Sequence, residues 1–290
     1  MKRNFLPTPI VAVLLLIFCV SLNSCEKNEA YNPERKIKKI YTGTADGPKY
    51  LEQKWTWDEN KLLRIDYYYD DGDIAYIAYT EHYTYEENKL VMVENRYGYF
   101  QIFYSGFRYN KIEYYSNAEN LLIGTWEFLY KNNKISKTIF TFDEPDIWID
   151  KITQNGFISF LIPKEFIPTI ESSAKRGAAR FITTYKYNGN NIKEQKLGLD
   201  GSEYSAILIY KSYDKMLNPF YKHADWNNFE VFTSKNNPLE VEITSPAGHF
   251  SRVIDKLSYK YDKNFPIEMV RTRVFDNDSG FGNKTYYEYE

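Results

Sequence analysis

Few residue types in this chain could carry catalytic or metal chemistry. Its 290 residues include only three His, two Cys and 39 Asp plus Glu. The histidines, His82, His223 and His249, are too dispersed in sequence to indicate a triad, and two cysteines cannot form a disulfide framework. No His-Glu-x-x-His, Gly-x-Ser-x-Gly or phosphate-binding glycine loop is present. We therefore predict no catalytic residue, no metal site and no cofactor.

Acidic residues leave two chemical possibilities to weigh. The segment 276–280 begins like a Ca²⁺ loop, but Gly280 and Phe281 stand where such a loop needs an oxygen ligand and a glycine. We interpret it as a surface turn. A pair of carboxylates for glycoside hydrolysis stays an alternative, because a chain with 39 acidic residues contains many candidate pairs.

The charge balance argues against a nucleic-acid partner. Lys plus Arg number 37, so the formal net charge is −2, and no basic field is available to hold a phosphate backbone.

Aromatic residues are the most unusual part of the composition. The chain has 28 Tyr, 19 Phe and 5 Trp. Exposed Tyr and Trp rings suit the binding of glycans, peptides or partner proteins. The candidate binding aromatics are Tyr67, Tyr68, Tyr69 and Trp226. The alternative is that aromatics at alternate positions form the core and the cross-strand pairs of a long sheet.

The N-terminal segment is typical of an export signal. Lys2 and Arg3 precede an apolar run over residues 10–20, which is long enough for a secretory signal and too short for a membrane-spanning helix of about 18 residues. Leu22 and Ser24 then stand at the third and first positions before Cys25, which resembles the lipobox of bacterial lipoproteins. We predict lipidation of Cys25, with two or three acyl chains giving a durable membrane anchor.

These features divide the chain into three parts. Residues 1–24 are predicted to be the lipoprotein signal peptide, and residues 25–35 a polar tether. Residues 36–290 are predicted to form a single β domain that contains repeats.

A degenerate repeat fills this β domain. The unit is aromatic, any residue, aromatic, two turn residues, Asn, Lys, aliphatic. Four copies are Trp55 to Leu62, Tyr83 to Leu90, Phe128 to Ile135 and Tyr185 to Ile192; a shortened copy is Phe107 to Ile112, and two decayed copies are Phe232 to Leu239 and Tyr259 to Ile267. Aromatics two residues apart lie on one face of a strand, and an asparagine tolerates the left-handed conformation that closes a three-residue loop. The repeat predicts an all-β fold, a long antiparallel meander of hairpins that forms a twisted sheet or a partly closed barrel.

The repeat has two relatives. It is similar to the YD repeats of bacterial surface and toxin-shell proteins, best at Tyr259-Lys-Tyr-Asp262. More closely, the chain resembles Bacteroidetes outer-membrane lipoproteins of unknown function with a porin-like β fold. The late segments that carry this resemblance are Tyr213 to Phe220, Ser234 to Asn237 and Tyr259 to Pro266, and Glu26 to Glu29 resembles a surface-export signal.

The resemblance implies a fold and a location, but no catalytic residue. It implies an outer-membrane protein, lipid-anchored through Cys25 and facing outward. Insertion of the barrel itself is disfavoured, because charged residues interrupt predicted strands such as 36–40, where a membrane barrel needs a lipid-facing apolar band.

Three functions follow as hypotheses. The first is a non-enzymatic binding or interaction module for a glycan or protein ligand. The second is a glycan-processing hydrolase or accessory that uses an acidic pair, and the third is a structural scaffold of the envelope. A cleft with two carboxylates favours the second, and a contiguous exposed aromatic patch favours the first.

Overall fold

Strands make up nearly all of the regular structure. The computed structural model describes residues 31, 33–44, 46–70, 75–117, 120–142, 179–225, 230–246, 248, 252–275, 280 and 282–290. The strands are β1 (Ile37–Thr44), β2 (Lys49–Asp58), β3 (Lys61–Asp70), β4 (Ala75–Glu86), β5 (Lys89–Asn95), β6 (Gly98–Ser105), β7 (Arg108–Ser116), β8 (Leu122–Lys131), β9 (Lys134–Phe142), β10 (Ala179–Asn188), β11 (Asn191–Leu199), β12 (Ala206–Leu217), β13 (Ala224–Asp225), β14 (Glu230–Val231), β15 (Asn236–Thr244), β16 (Val253–Asp262), β17 (Phe265–Phe275) and β18 (Gly282–Tyr289). None of the described residues belongs to a helix long and apolar enough to span a membrane.

Sixteen of these strands form a closed antiparallel barrel. Each strand pairs with its neighbours in sequence, except that β12 pairs directly with β15, and β18 closes the barrel onto β1. Strands β13 and β14 form a separate two-stranded sheet. The prediction of an all-β antiparallel meander is confirmed, and the sheet closes fully.

Six hairpins close with a two-residue turn. Their two-residue turns are 59–60, 87–88, 106–107, 132–133, 189–190 and 263–264, and up-and-down connectivity places all six at one end of the barrel, here called the near rim. In each turn the first residue is left-handed, for example Glu59 at φ 44° and Glu87 at φ 54°. The prediction that the asparagine takes this conformation in a three-residue loop is wrong for these two turns, because a primed two-residue turn requires positive φ at its first central residue.

Each of the six hairpins carries a β-bulge just after its turn. In the β2–β3 hairpin, Trp57 pairs with Leu62 while Thr56 pairs with Arg64, so Leu63 is the extra residue. The equivalent bulged residues of the other hairpins are Val91, Asn110, Ser136, Lys193 and Ile267. Consequently the first two side chains that face inward after a turn are three residues apart, as are the buried Leu62 and Ile65. The alternation of inward and outward side chains with a period of two is kept on the strand before the turn.

Two of the proposed copies of the repeat are misplaced. The shortened copy predicts a turn between Tyr109 and Ile112, but these residues lie within β7, and the turn is at Gly106 and Phe107. The segment 232–239 is likewise no hairpin, because residues 232–235 belong to the connection from β12, and β15 begins at Asn236. The first error arises because the turn is made by Gly106, which adopts the left-handed conformation. The second arises because the chain leaves the sheet of the barrel between β12 and β15.

A basic residue follows four of the six turns and connects neighbouring repeats. The Lys61 ammonium lies 5.7 Å from the ring centre of Tyr85, in the next repeat, and donates to the Glu87 carbonyl at 2.6 Å. The same cation–aromatic step recurs around the near rim from Lys89 to Tyr104 (5.7 Å), from Arg108 to Tyr130 (5.3 Å) and from Lys134 to Tyr187 (5.3 Å). The repeat therefore encodes contacts between hairpins as well as within them.

The tyrosine two residues before a near-rim turn also caps a main-chain carbonyl of the neighbouring hairpin. The Tyr104 hydroxyl donates to the Leu90 carbonyl at 2.8 Å, and the Tyr187 hydroxyl donates to the Ile135 carbonyl at 2.8 Å. Both carbonyls belong to the residue just before a bulge, where the ladder is interrupted. A phenol supplies both the ring and the missing donor, which explains why Tyr is the most abundant aromatic.

The interior of the barrel is mostly apolar and its outer wall carries many charged side chains. Trp126, Ile112 and Ile65 lie inside and are at most 1% exposed. Ion pairs run across the outer wall, among them Arg64–Asp66, Lys111–Glu113, Lys186–Glu194, Lys211–Glu242 and Lys260–Glu268. This polarity is the opposite of that of a membrane-spanning barrel, which has an apolar outer band.

Removing a capping hydroxyl should weaken the barrel. Tyr104→Phe leaves the Leu90 carbonyl without its donor, so we expect a loss of about 1–3 kcal/mol in the free energy of unfolding, measured in urea. Tyr69→Phe is the matched control, because this ring is 56% exposed, and its effect should stay within about 0.5 kcal/mol. Equal effects of the two substitutions would contradict the capping role.

Candidate functional site

The connection between β12 and β15 folds into the barrel. We call residues 218–235 the plug; residues 226–229 lie outside the described part. Phe220 reaches the opposite wall, where its ring centre lies 6.2 Å from that of Trp55 and 6.0 Å from that of Tyr287. The plug therefore fills the near-rim end of the interior.

The motif residues of the late segments converge at the base of the plug. The Asp214 carboxylate accepts from the main-chain and side-chain nitrogens of Asn237, each at 3.1 Å, and from the Tyr261 hydroxyl. The Asn218 main-chain nitrogen donates to the Lys235 carbonyl at 2.8 Å, which ties the two ends of the plug together. These motifs hold the plug in place and present no reactive group to the interior.

His223 is the most unusual polar group of the plug. Its imidazole is buried, with ring centres 4.8 Å from Tyr31 and 5.1 Å from Trp55, and neither ring nitrogen has a hydrogen-bond partner in the described structure. Burial lowers the pKa of His223 to about 3, so the ring is neutral at physiological pH. The neutral imidazole therefore packs against aromatic rings, but it lowers the stability of the fold, because its nitrogens lose their hydrogen bonds to water without gaining new ones.

A cavity of about 340 Å³ lies beyond the plug, against the inner wall of β11, β12 and β15–β18. Its walls are mostly apolar, with Leu208, Val241 and Leu257 in the middle and Phe220 and Phe232 of the plug at the near-rim end. This volume suits a small organic molecule, and such pockets are usual ligand sites.

The opposite end of the cavity holds a charged cluster. Arg273 donates to both oxygens of Asp255, at 2.8 and 2.9 Å, and Arg271 donates a further bond to Asp255. Burial alone would raise the pKa of the Asp255 carboxyl, but the hydrogen bonds from Arg273 and Arg271 outweigh it, and the pKa is lowered. An ionised carboxylate held by two guanidiniums cannot serve as the protonated acid that glycoside hydrolysis needs.

The predicted binding tyrosines do not share a surface. Tyr67 faces the interior, stacks on Tyr79 at 4.3 Å and donates to Glu81 at 3.2 Å. Tyr68 is half-buried and lies on the opposite face of β3, paired with Ile77. Tyr69 is exposed at the far rim, the barrel end opposite the near rim.

An exposed aromatic patch does occur at the far rim, and of the predicted tyrosines it includes only Tyr69. Tyr69 and Tyr76 are 56% and 53% exposed, with ring centres 5.4 Å apart, and Tyr97 is 50% exposed. Cys25, Trp226, His249 and the segments 276–279 and 281 lie outside the described residues, so the predictions that rest on them are untested.

Sequence reasoning missed the cavity cluster. Arg271 and Arg273 are two residues apart on β17, and Asp255 is opposite Arg273 on β16. Counting outward from the turn at 263–264 gives this pairing only when the bulge at Ile267 is allowed for. In the part of the chain that the structure describes, no group of three His, Cys, Asp or Glu could hold a metal.

Replacing His223 should change the acid stability of the barrel. The pKa of His223 is depressed from 6.5 to about 3, so the unfolded state binds the proton more tightly, and wild-type stability should fall as pH drops from about 6.5 towards 3. The loss should approach about 1.4 kcal/mol per pH unit from this group. In His223→Leu, with a side chain of similar size, this part of the pH dependence should vanish in urea titrations at pH 7, 5 and 4. An unchanged slope would contradict the assignment.

Comparisons with known proteins found two solved structures that are similar to the chain at low TM-scores. No family model and no curated protein matches the chain. Among solved structures, the chain is similar to a porin-like protein from Bacteroides vulgatus ATCC 8482, with 10% identity and a TM-score of 0.33, over 89% of this chain and 99% of that one. It is also similar to a part of TcdB2-TccC3, with 10% identity and a TM-score of 0.33, over 84% of this chain and 14% of that one. At these values neither likeness carries a ligand or a location to this chain.

Proposed function

We propose that the protein is a lipid-anchored, outward-facing binding protein of the outer membrane, whose barrel holds a small ligand in its interior. The observation that carries the proposal is the cavity of about 340 Å³, with apolar walls and convergent polar groups at one end. Such a combination is the usual form of a small-molecule site. The one carboxylate that lines the cavity favours binding over hydrolysis, because Asp255 is held ionised by two arginines.

The outer wall supports attachment through lipid instead of insertion. Charged pairs such as Arg64–Asp66 and Lys111–Glu113 lie on strands that a lipid bilayer would have to surround. Burying ions in hydrocarbon is costly, whereas an acylated Cys25 needs no apolar barrel surface. Lipidation of Cys25 rests on the lipobox pattern of residues 22–25.

Tyr31 supports a definite orientation on that anchor. Although it lies in the predicted tether, Tyr31 is buried, and its hydroxyl donates to the Pro219 carbonyl of the plug at 2.5 Å. Five residues lie between Cys25 and Tyr31, so the two are at most about 20 Å apart. The near rim would then face the membrane, and the far rim, with Tyr69 and Tyr76, would face outward.

Binding in the cavity is tested with a neutral apolar fluorophore, N-phenyl-1-naphthylamine. We expect saturable fluorescence enhancement with the wild-type barrel and its loss in Leu208→Trp, because Leu208 lines the cavity and a larger ring fills it. Ile207→Trp is the matched control, since Ile207 pairs with Lys196 on the outer face of the same strand. Binding that is equal in both variants, each shown by its urea midpoint to be folded, would refute an internal site.

Anchoring is tested at Cys25. Cys25→Ala removes the only atom that can carry the diacylglyceryl group in the predicted mature chain, so palmitate labelling should disappear and the protein should leave the membrane fraction. Ser24→Ala keeps a small residue before Cys25 and should leave labelling intact. Protease accessibility on whole cells then measures outward exposure. Continued membrane association of Cys25→Ala would contradict the prediction of a lipid anchor.

A further inference from the structure

We propose that the cavity ligand is an amphipathic anion, an alkyl chain that ends in a carboxylate or phosphate received by Arg271. This inference rests on the proposed binding function and assigns the chemical class of its ligand. The two ends of the cavity differ in chemistry, and each end selects one part of such a molecule.

Arg271 supplies the polar end. It bonds to Asp255 through a single nitrogen, and its side chain stays 34% exposed while lining the cavity. A guanidinium has five N–H donors, so Arg271 keeps donors for a second anionic group. Arg273 is more fully engaged, with two bonds to Asp255, and its side chain is only 18% exposed. The residues that line the cavity include two arginines and one carboxylate, an excess of one positive charge.

The other end has no charged side chain among its lining residues. From Leu257 the wall continues through Val241 and Met269 to Phe220 and Phe232, where the plug closes the near rim. A chain that enters from the far rim would meet apolar contacts along its length and place its head at Arg271. Because each buried methylene contributes about 0.8 kcal/mol, affinity should rise about fourfold per methylene until the chain reaches the plug.

The experiment displaces N-phenyl-1-naphthylamine from the full chain with a set of ten-carbon compounds. Decanoate and decyl phosphate carry the proposed head, decanol is neutral, and decyltrimethylammonium is cationic. We expect at least tenfold tighter binding of an anion than of decanol, and the weakest binding for the cation. Tighter binding of decanoate indicates a fatty acid as the source, and tighter binding of decyl phosphate indicates a lipid headgroup. A series from octanoate to tetradecanoate should reach a plateau.

Arg271→Met provides the residue-level test, and Lys256→Met is its control. Both substitutions remove one positive charge from the β16–β17 hairpin, but Lys256 pairs with Thr272 and Glu240 on the outer face. We expect Arg271→Met to weaken decanoate about 10- to 100-fold and to leave decanol unchanged, which also reports that the barrel is folded. Arg271→Lys should restore part of the loss, and Lys256→Met should bind as wild type.

The outcomes separate the two proposals. Fluorophore binding without any preference for the anions, or an equal loss in Arg271→Met and Lys256→Met, would overturn the ligand class and leave internal binding standing. Failure of the fluorophore and of all ten-carbon compounds to bind the folded wild-type protein would overturn both.

Discussion

Tyrosine hydroxyls that cap main-chain carbonyls are the interaction on which the architecture depends. A bulge after each near-rim turn adds one residue to the returning strand and lets positions such as Leu62 and Ile65 both face inward. The interrupted ladder then needs another donor. Tyr104 and Tyr187 provide it from the neighbouring repeat while their rings fill the wall of the barrel. Bulge, ring and hydroxyl thus form one unit, and repeating that unit closes the sheet.

The sequence allowed the hairpins to be predicted, since aromatic pairs before polar turns are a local signal. The closure of the barrel and the register of strand pairing were harder to predict from the sequence, because both depend on the bulges. The bulged residues, such as Val91 and Ser136, share no residue type. The period of two of a strand places Tyr68 on the opposite face of β3 from Tyr67 and Tyr69, so proximity in sequence does not make the three tyrosines one patch. Arg271 and Asp255 meet across a hairpin whose count shifts at Ile267, so their cluster was not foreseen.

The distribution of polarity connects fold to function. Barrels that cross membranes put apolar residues outside, and this one places its apolar residues, including Trp126 and Ile112, inside. Within such an interior, a charge cluster must be compensated, and Asp255 accepts bonds from both Arg271 and Arg273. Three charged groups at a cavity wall are hard to explain as packing alone, because apolar side chains of similar volume would avoid the desolvation cost. The proposed recognition of an anionic ligand would account for that cost.

The plug relates the cavity to the tether. Tyr31 packs on His223 and bonds to Pro219, so the chain ahead of β1 contacts the plug. Hydrogen bonds between Asp214 and Asn237 fix the base of the plug at the same end of the barrel. In the proposed arrangement, the lipid anchor at Cys25 would lie at this end and the ligand would enter from the other. A tethered binding protein benefits from such polarity, because the membrane then cannot occlude its site.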